Sequence, residues 1–213
     1  MVLVKNHIFN LSTSNAALVV GIAFIVSVII VTIVDDFLLA NFVIPGDTSA
    51  LARDIEAKRS LFGFAVAGYT VVLILDSIIG LALYIVLKPY NKTLAFLTAT
   101  FRLLYAGILI IGLIALVLEF VTVYEYALVK LLGYVFFALH IFMLGYCALR
   151  SGYIPKIIGV LLIIASFTYL IFFIDAEFPE TLQIVFMIIM GSAELLLSIW
   201  LIIKRNSLPV NVI

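Results

Sequence analysis

The sequence predicts an all-α fold: a polytopic bundle of six transmembrane helices, both termini on the cytoplasmic side of a cell membrane, with a short interfacial helix in the first outer loop. Three observations predict it. Hydrophobic residues make up 66% of the chain and charged residues only 11%, against roughly a quarter charged in soluble domains, so lipid is the solvent for most side chains. The charges fall between long apolar runs rather than within them. Those runs number six, each about as long as a helix must be to cross a hydrocarbon core of roughly 30 Å.

Residues 1–15 read as a cytoplasmic arm with Lys5 and His7, and Ser12-Thr13-Ser14-Asn15 can cap a helix beginning near Ala16. The apolar run 16–34 is longer than a signal-peptide core and has no small-x-small site before Asp35-Asp36, so it reads as a retained span reaching about residue 39. Ile44-Pro45-Gly46-Asp47 is turn chemistry. Asp47-Thr48-Ser49 then caps a short segment, 50–60, with an apolar edge at Leu51, Ile55 and Phe62 and Asp54 four residues ahead of Lys58. Spans two to six cover about 61–87, 93–118, 126–149, 157–174 and 181–203. Lys88 to Lys92, Glu119 to Glu125, Arg150 to Lys156 and Asp175 to Glu180 form the turns between them. The whole of 16–204 is one domain, and 205–213 is a cytoplasmic tail.

Orientation follows from the bases. Seven of them (Lys5, Lys88, Lys92, Arg150, Lys156, Lys204, Arg205) lie on the face of both termini, while Arg53, Lys58, Arg59 and Lys130 share the other face with most of the acids. The positive-inside rule puts the first face in the cytoplasm. A net charge of zero distinguishes no partner, and the single Cys147 excludes an internal disulfide or a cysteine-rich metal cluster. No internal repeat of the kind seen in many transporters is visible, and nothing in the sequence bears on oligomeric state.

The stretch from Asp76 to Arg102 organises the rest. Pro89 cannot continue a helix and Asn91 can cap the next one, so Lys88 to Lys92 is a tight turn between antiparallel helices. Asp76 and Arg102 each lie roughly 15 to 18 Å from that turn at 1.5 Å per residue. Both are therefore near mid-membrane, where a lone charge costs at least about 2.5 to 3.5 kcal/mol. They are expected to pair. His140 stands ten residues before Arg150 and Glu194 ten before Lys204, which puts both at the same depth.

Four helices thus supply one polar layer, on faces that look packed against protein. Asp76 shares its face with Tyr69, Gly80 and Tyr84; Arg102 with Thr98 and Tyr105; Glu194 with Gly191 and Ser198; His140 with Gly133 and Cys147. Small residues let helices approach closely in lipid, and hydroxyls bond across helices. Ser166 and Tyr169 can add a fifth helix. The candidate ligand or proton site is therefore Asp76, Arg102, His140 and Glu194 with Tyr69, Tyr84, Tyr105, Tyr169 and Ser198.

Two readings of the layer stand side by side. It can simply lock helix packing. Alternatively, two carboxylates against one guanidinium leave an excess negative charge, which a proton on His140 or on a carboxyl would balance. Metal binding is disfavoured because Arg102 repels a cation, and no metal or other cofactor is expected; haem is excluded by the lack of a second deep histidine. Cys147 lies roughly 10 Å from His140 along the helix, too far for a nucleophile and its base. No phosphate loop is visible, and no basic patch suggests nucleic acid. Asp35 and Asp36 read as solvated charge, the alternatives being a held cation or pairing with Arg53 or Arg59.

The chain resembles an uncharacterised family of prokaryotic six-span membrane proteins, domain-of-unknown-function family 4386. The likeness rests on Asp76 through Tyr84, on Lys88-Pro89 leading to Phe101-Arg102-Leu103, and on His140 with Gly145-Tyr146. It continues in Arg150-Ser151-Gly152-Tyr153-Ile154-Pro155-Lys156 and in Glu194-Leu195-Leu196-Leu197-Ser198-Ile199-Trp200. It runs from about residue 15 to 205, with the loop 45–60 departing from it. The resemblance implies a prokaryotic integral membrane protein and supplies no substrate or catalytic residue. From the residues themselves, the expected role is binding of a proton or small polar ligand in the layer, for transport or sensing. The rivals are a membrane-embedded enzyme acting on a lipid or lipid-linked group, with His140 or Glu194 as base and Arg102 as anion clamp, and an accessory subunit whose layer is purely structural.

Overall fold

The computed structural model describes residues 11–42, 48–173 and 178–209. Within them the chain forms seven α-helices and no strand: α1 (Thr13–Thr32), α2 (Thr48–Ala57), α3 (Arg59–Leu87), α4 (Lys92–Val117), α5 (Val123–Ser151), α6 (Lys156–Phe173) and α7 (Glu180–Lys204). Five segments are long and apolar enough to cross a membrane: Thr13–Phe42, Arg59–Leu87, Lys92–Val117, Val123–Ser151 and Thr181–Ser207. The other apolar helix, α6, is shorter at 18 residues. Lys5 and His7 of the N-terminal arm, the turn Ile44-Pro45-Gly46-Asp47, residues 174–177 with Asp175 and Glu177, and the last four residues of the tail lie outside the described residues.

Local chemistry sets the helix ends. The Ser12 hydroxyl accepts from the Asn15 amide at 3.2 Å, so α1 starts at Thr13, a turn earlier than Ala16. Asn91 caps α4 by accepting from the Leu94 amide at 3.0 Å. Thr122 and Glu125 form a reciprocal capping box on α5. That helix stops at Gly152, whose φ of 76° is left-handed backbone that favours glycine. In the turn after it, the Tyr153 hydroxyl donates to the Val86 carbonyl at 2.9 Å, and burial pushes its phenol above the ordinary range. The first apolar run does not stay α-helical to its end. Ile33–Leu38 widens into a π-helix and Leu39–Phe42 tightens into a 3-10 turn.

The apolar helices pack in a ring. Contacts run from α1 to α3, α4, α5, α6 and α7, and α7 closes back on α1. Glycines permit the closest approaches: a Cβ at Gly145 would stand 2.9 Å from the Gly159 carbonyl oxygen, and one at Gly159 would stand 2.8 Å from that of Gly145, so α5 and α6 touch backbone to backbone. Two apolar clusters fill the interior. One holds Ile79, Leu83, Ala95, Ile141 and Leu197; the other holds Leu73, Leu109, Leu113 and Val34. On α3 they meet between Leu73 and Ile79, and on α4 between Ala95 and Leu109, which is where Asp76 and Arg102 sit.

Candidate functional site

Arg102 on α4 is 2% exposed and reaches across the ring. Its Nε and Nη2 both donate to Asp76 Oδ1 on α3, at 3.2 and 2.5 Å. Its Nη1 lies 3.1 Å from His140 Nε2 on α5 and 3.4 Å from Glu194 Oε2 on α7. The guanidinium also lies 5.1 Å from the centre of the Phe137 ring. From α6, the Tyr169 hydroxyl donates to the other oxygen of Glu194 at 3.1 Å. Four helices therefore meet at one cation, a fifth joins through Glu194, and Asp76, His140 and Glu194 are all buried.

The hydrogen bonds assign the histidine. Nδ1 lies 2.7 Å from the Thr98 carbonyl oxygen, which only accepts, so Nδ1 carries the hydrogen. Nε2 faces an arginine N–H, which only donates, so it holds a lone pair. This is the hydrogen-bond pattern of a neutral imidazole. That leaves the carboxyls. Asp76 takes two N–H groups of the guanidinium on one oxygen, whereas Glu194 is reached by a single longer contact.

The remaining candidates divide. Ser198, one turn after Glu194, is buried and borders a cavity of ≈ 10 Å³ together with Arg102 and Glu194. Tyr105 packs on Phe137 with ring centres 4.6 Å apart, and Phe137 in turn lies 4.9 Å from Tyr169. Tyr84 packs against the apolar core and has no contact with the four charged or imidazole groups among the hydrogen bonds described above. Ser166 bonds back to the Ile163 carbonyl. Tyr69 belongs elsewhere, because seven residues along α3 separate it from Asp76 by roughly 10 Å.

Tyr69 joins a second polar cluster that sequence reasoning missed. Its hydroxyl donates to Asp35, and the Lys130 ammonium donates to Asp35 Oδ1 at 2.8 Å and to the Tyr69 oxygen at 2.9 Å. Lys130 also lies over the Tyr69 and Tyr126 rings at 5.4 and 6.0 Å. Asp35 is thus not left as solvated charge, and its partner is Lys130 rather than Arg53 or Arg59. Two features bring it there: the π-helical turn rotates residues after Ile33 relative to α1, and α5 sets Tyr126 and Lys130 at i,i+4 on one face. That spacing was the available signal. The buried Tyr126 hydroxyl has no hydrogen-bond partner, the only such side-chain atom among the described residues.

The chain matches the family model described as Domain of unknown function (DUF4386) over residues 19–127 and 114–204. An uncharacterized protein of Archaeoglobus fulgidus is 34% identical to it over 147 residues, which cover 68% of this chain and 86% of that protein. No solved structure matches the chain.

Proposed function

We propose that this chain, which belongs to the family described as Domain of unknown function (DUF4386), is a six-span integral protein of the cell membrane with cytoplasmic termini whose buried layer binds one proton, carried by Glu194. One observation carries the proposal: a single guanidinium touches two buried carboxylates while the neighbouring imidazole is held neutral. An uncompensated charge in lipid costs several kcal/mol. A proton removes that cost, and Glu194, with the longer contact to Arg102, is the group that accepts it. The ≈ 10 Å³ beside Arg102 and Glu194 is about the room one water needs. This supports a proton over a larger ligand, and it weighs against an enzyme that must admit a lipid-linked group to His140 or Glu194.

Gain or loss of that proton changes what α7 offers to α4 through Arg102 and to α6 through Tyr169. It thereby biases how three helices pack, which is the element that proton-linked transport or sensing needs. For the membrane path, α6 at 18 residues spans roughly 27 Å, close to the hydrocarbon thickness. A purely structural layer is the second reading, and its support is how completely Asp76, Arg102, His140 and Glu194 are enclosed.

Proton uptake decides between them. Purified protein diluted from about pH 8 to about pH 6 in weak buffer should take up close to one proton more than a Glu194→Gln variant does. Equal uptake by the two would leave only the structural reading.

A further inference from the structure

Two cavities lie end to end in the cleft between α3 and α4. The first, ≈ 600 Å³, is bordered by Arg59, Phe62, Gly63 and Val66 of α3, by Glu56 of α2 and by Glu119 just beyond α4. The second, ≈ 410 Å³, begins one turn further along both helices, at Thr70 on α3 and at Ile114 and Leu113 on α4, and ends near Ser77 and Leu81. They adjoin along α3, Val66 bordering the first and Thr70 the second one turn on, and the Thr70 hydroxyl donates back to the Val66 carbonyl at 2.8 Å. Ser77 does the same to Leu73 at 2.9 Å. Both hydroxyls donate to their own helix, so the second cavity presents mainly methyl and methylene groups.

The chemistry differs sharply between the two ends. At the first, one guanidinium stands with two carboxylates, all three exposed; at the second, the lining is aliphatic apart from Thr70 and Ser77. From Arg59 to Ile74 is roughly 22 Å along the α3 axis at 1.5 Å per residue, which is half of the 40 to 45 Å of a whole bilayer. A polar mouth and an apolar channel of that length fit a molecule whose head carries both signs of charge and whose tail is one leaflet deep.

We propose that this cleft is a binding site for one aminophospholipid of the bilayer, its phosphate on Arg59, its ammonium between Glu56 and Glu119, and one acyl chain between α3 and α4. Charge selects the head. A phosphate matches the guanidinium, and an ammonium with three donors matches two carboxylates. An anionic head such as phosphatidylglycerol brings no cation for those carboxylates and is repelled by them. The site is separate from the layer of Asp76 and Arg102, and it rests on the membrane reading but not on the proton at Glu194.

Gly63 permits a clean test, because it borders the first cavity and a Cβ there meets nothing within 4 Å, so a leucine side chain branches from open space into the path of the lipid head. Full-length protein in mild detergent is titrated with phosphatidylethanolamine or with phosphatidylglycerol, and bound lipid is counted by native mass spectrometry. One phosphatidylethanolamine should bind about tenfold more tightly than phosphatidylglycerol. Arg59→Gln should lower that affinity about tenfold, and Gly63→Leu should abolish the high-affinity adduct while the protein still fractionates with membranes. Equal binding of the two lipids, a preference for phosphatidylglycerol, or an adduct that survives Gly63→Leu would each overturn the site. Loss of membrane fractionation in the unmodified chain would instead overturn the membrane reading beneath it.

Discussion

Arg102 donates through two of its nitrogens to a single oxygen of Asp76, across twenty-six positions of sequence and between two helices that a four-residue turn makes antiparallel. Each charge is there because the other is. Removing one strands its partner in a low-dielectric interior, and breaking such a buried pair typically costs about 3 to 5 kcal/mol. Asp76→Asn and Arg102→Gln should each destabilise the protein by about that much in reversible detergent unfolding. The double variant leaves two amides able to bond each other, so a coupling energy of about 1 to 3 kcal/mol is expected. Strictly additive losses would mean that the two side chains do not act as a pair.

His140 should show one tautomer. With Nδ1–H donating to Thr98 and Nε2 accepting from Arg102, nitrogen-15 spectra of the imidazole should give the neutral, Nδ1-protonated pattern at both ends of the range from about pH 5 to 8. An imidazolium signal anywhere in that range would move the balancing proton from Glu194 to His140.

Stability should fall as pH rises. If folded protein keeps a proton on Glu194 over a range where an unfolded glutamate has released its own, the native state binds more protons than the unfolded one, and the slope of unfolding free energy with pH is negative. Glu194→Gln should flatten that slope between about pH 5 and 8. A wild-type slope retained in the variant would show that another group carries the proton.

Much of this was legible in the sequence, and the reason is the solvent. In lipid an ionisable residue within an apolar run has few places to go, so counting residues from a turn was enough to bring Asp76, Arg102, His140 and Glu194 to one depth. Ser198 follows from the helix face it shares with Glu194, and Tyr169 comes with Ser166 as a fifth-helix addition. What stayed hidden depended on backbone geometry rather than depth. No residue pattern announces the π-helical turn at Ile33–Leu38, and without it Asp35 looks like surface charge. Lys130 lies close enough to the start of α5 to pass for a loop residue, and its partner is ninety-five positions away. Tyr69 shares a helix face with Asp76, but two turns along the axis put it with Asp35 and Lys130 instead.

That second cluster has its own consequence. The Tyr126 hydroxyl is buried beside Lys130 without a partner, and an unmade hydrogen bond of this kind costs about 1 to 3 kcal/mol. Tyr126→Phe removes the hydroxyl and keeps the ring that packs edge-on against Tyr69, so it should be neutral or stabilising by up to about 1 kcal/mol. A clear loss of stability would mean that the hydroxyl is bonded in the membrane. Lys130→Met, by contrast, strands Asp35 and should destabilise.

Labelling tests the proposed six-span topology. A cysteine at Asn91 or Asn206, in a background with Cys147 replaced, should react with an impermeant thiol reagent only from the cytoplasmic side, and one at Glu177 only from outside. Outside labelling at Asn91 would invert the orientation.

The most direct measurement of the proton itself is infrared spectroscopy of the purified protein at about pH 6. A protonated carboxyl absorbs as a carboxylic-acid C=O stretch, separate from ionised carboxylates. Wild-type protein and the Asp76→Asn, Arg102→Gln double variant can both be compared with Glu194→Gln. The expected result is one such band in the wild type that disappears in Glu194→Gln and, when the pH is raised, loses intensity as the proton leaves. A wild-type spectrum without the band, or a band that persists unchanged in Glu194→Gln, would contradict a proton-binding layer centred on Glu194.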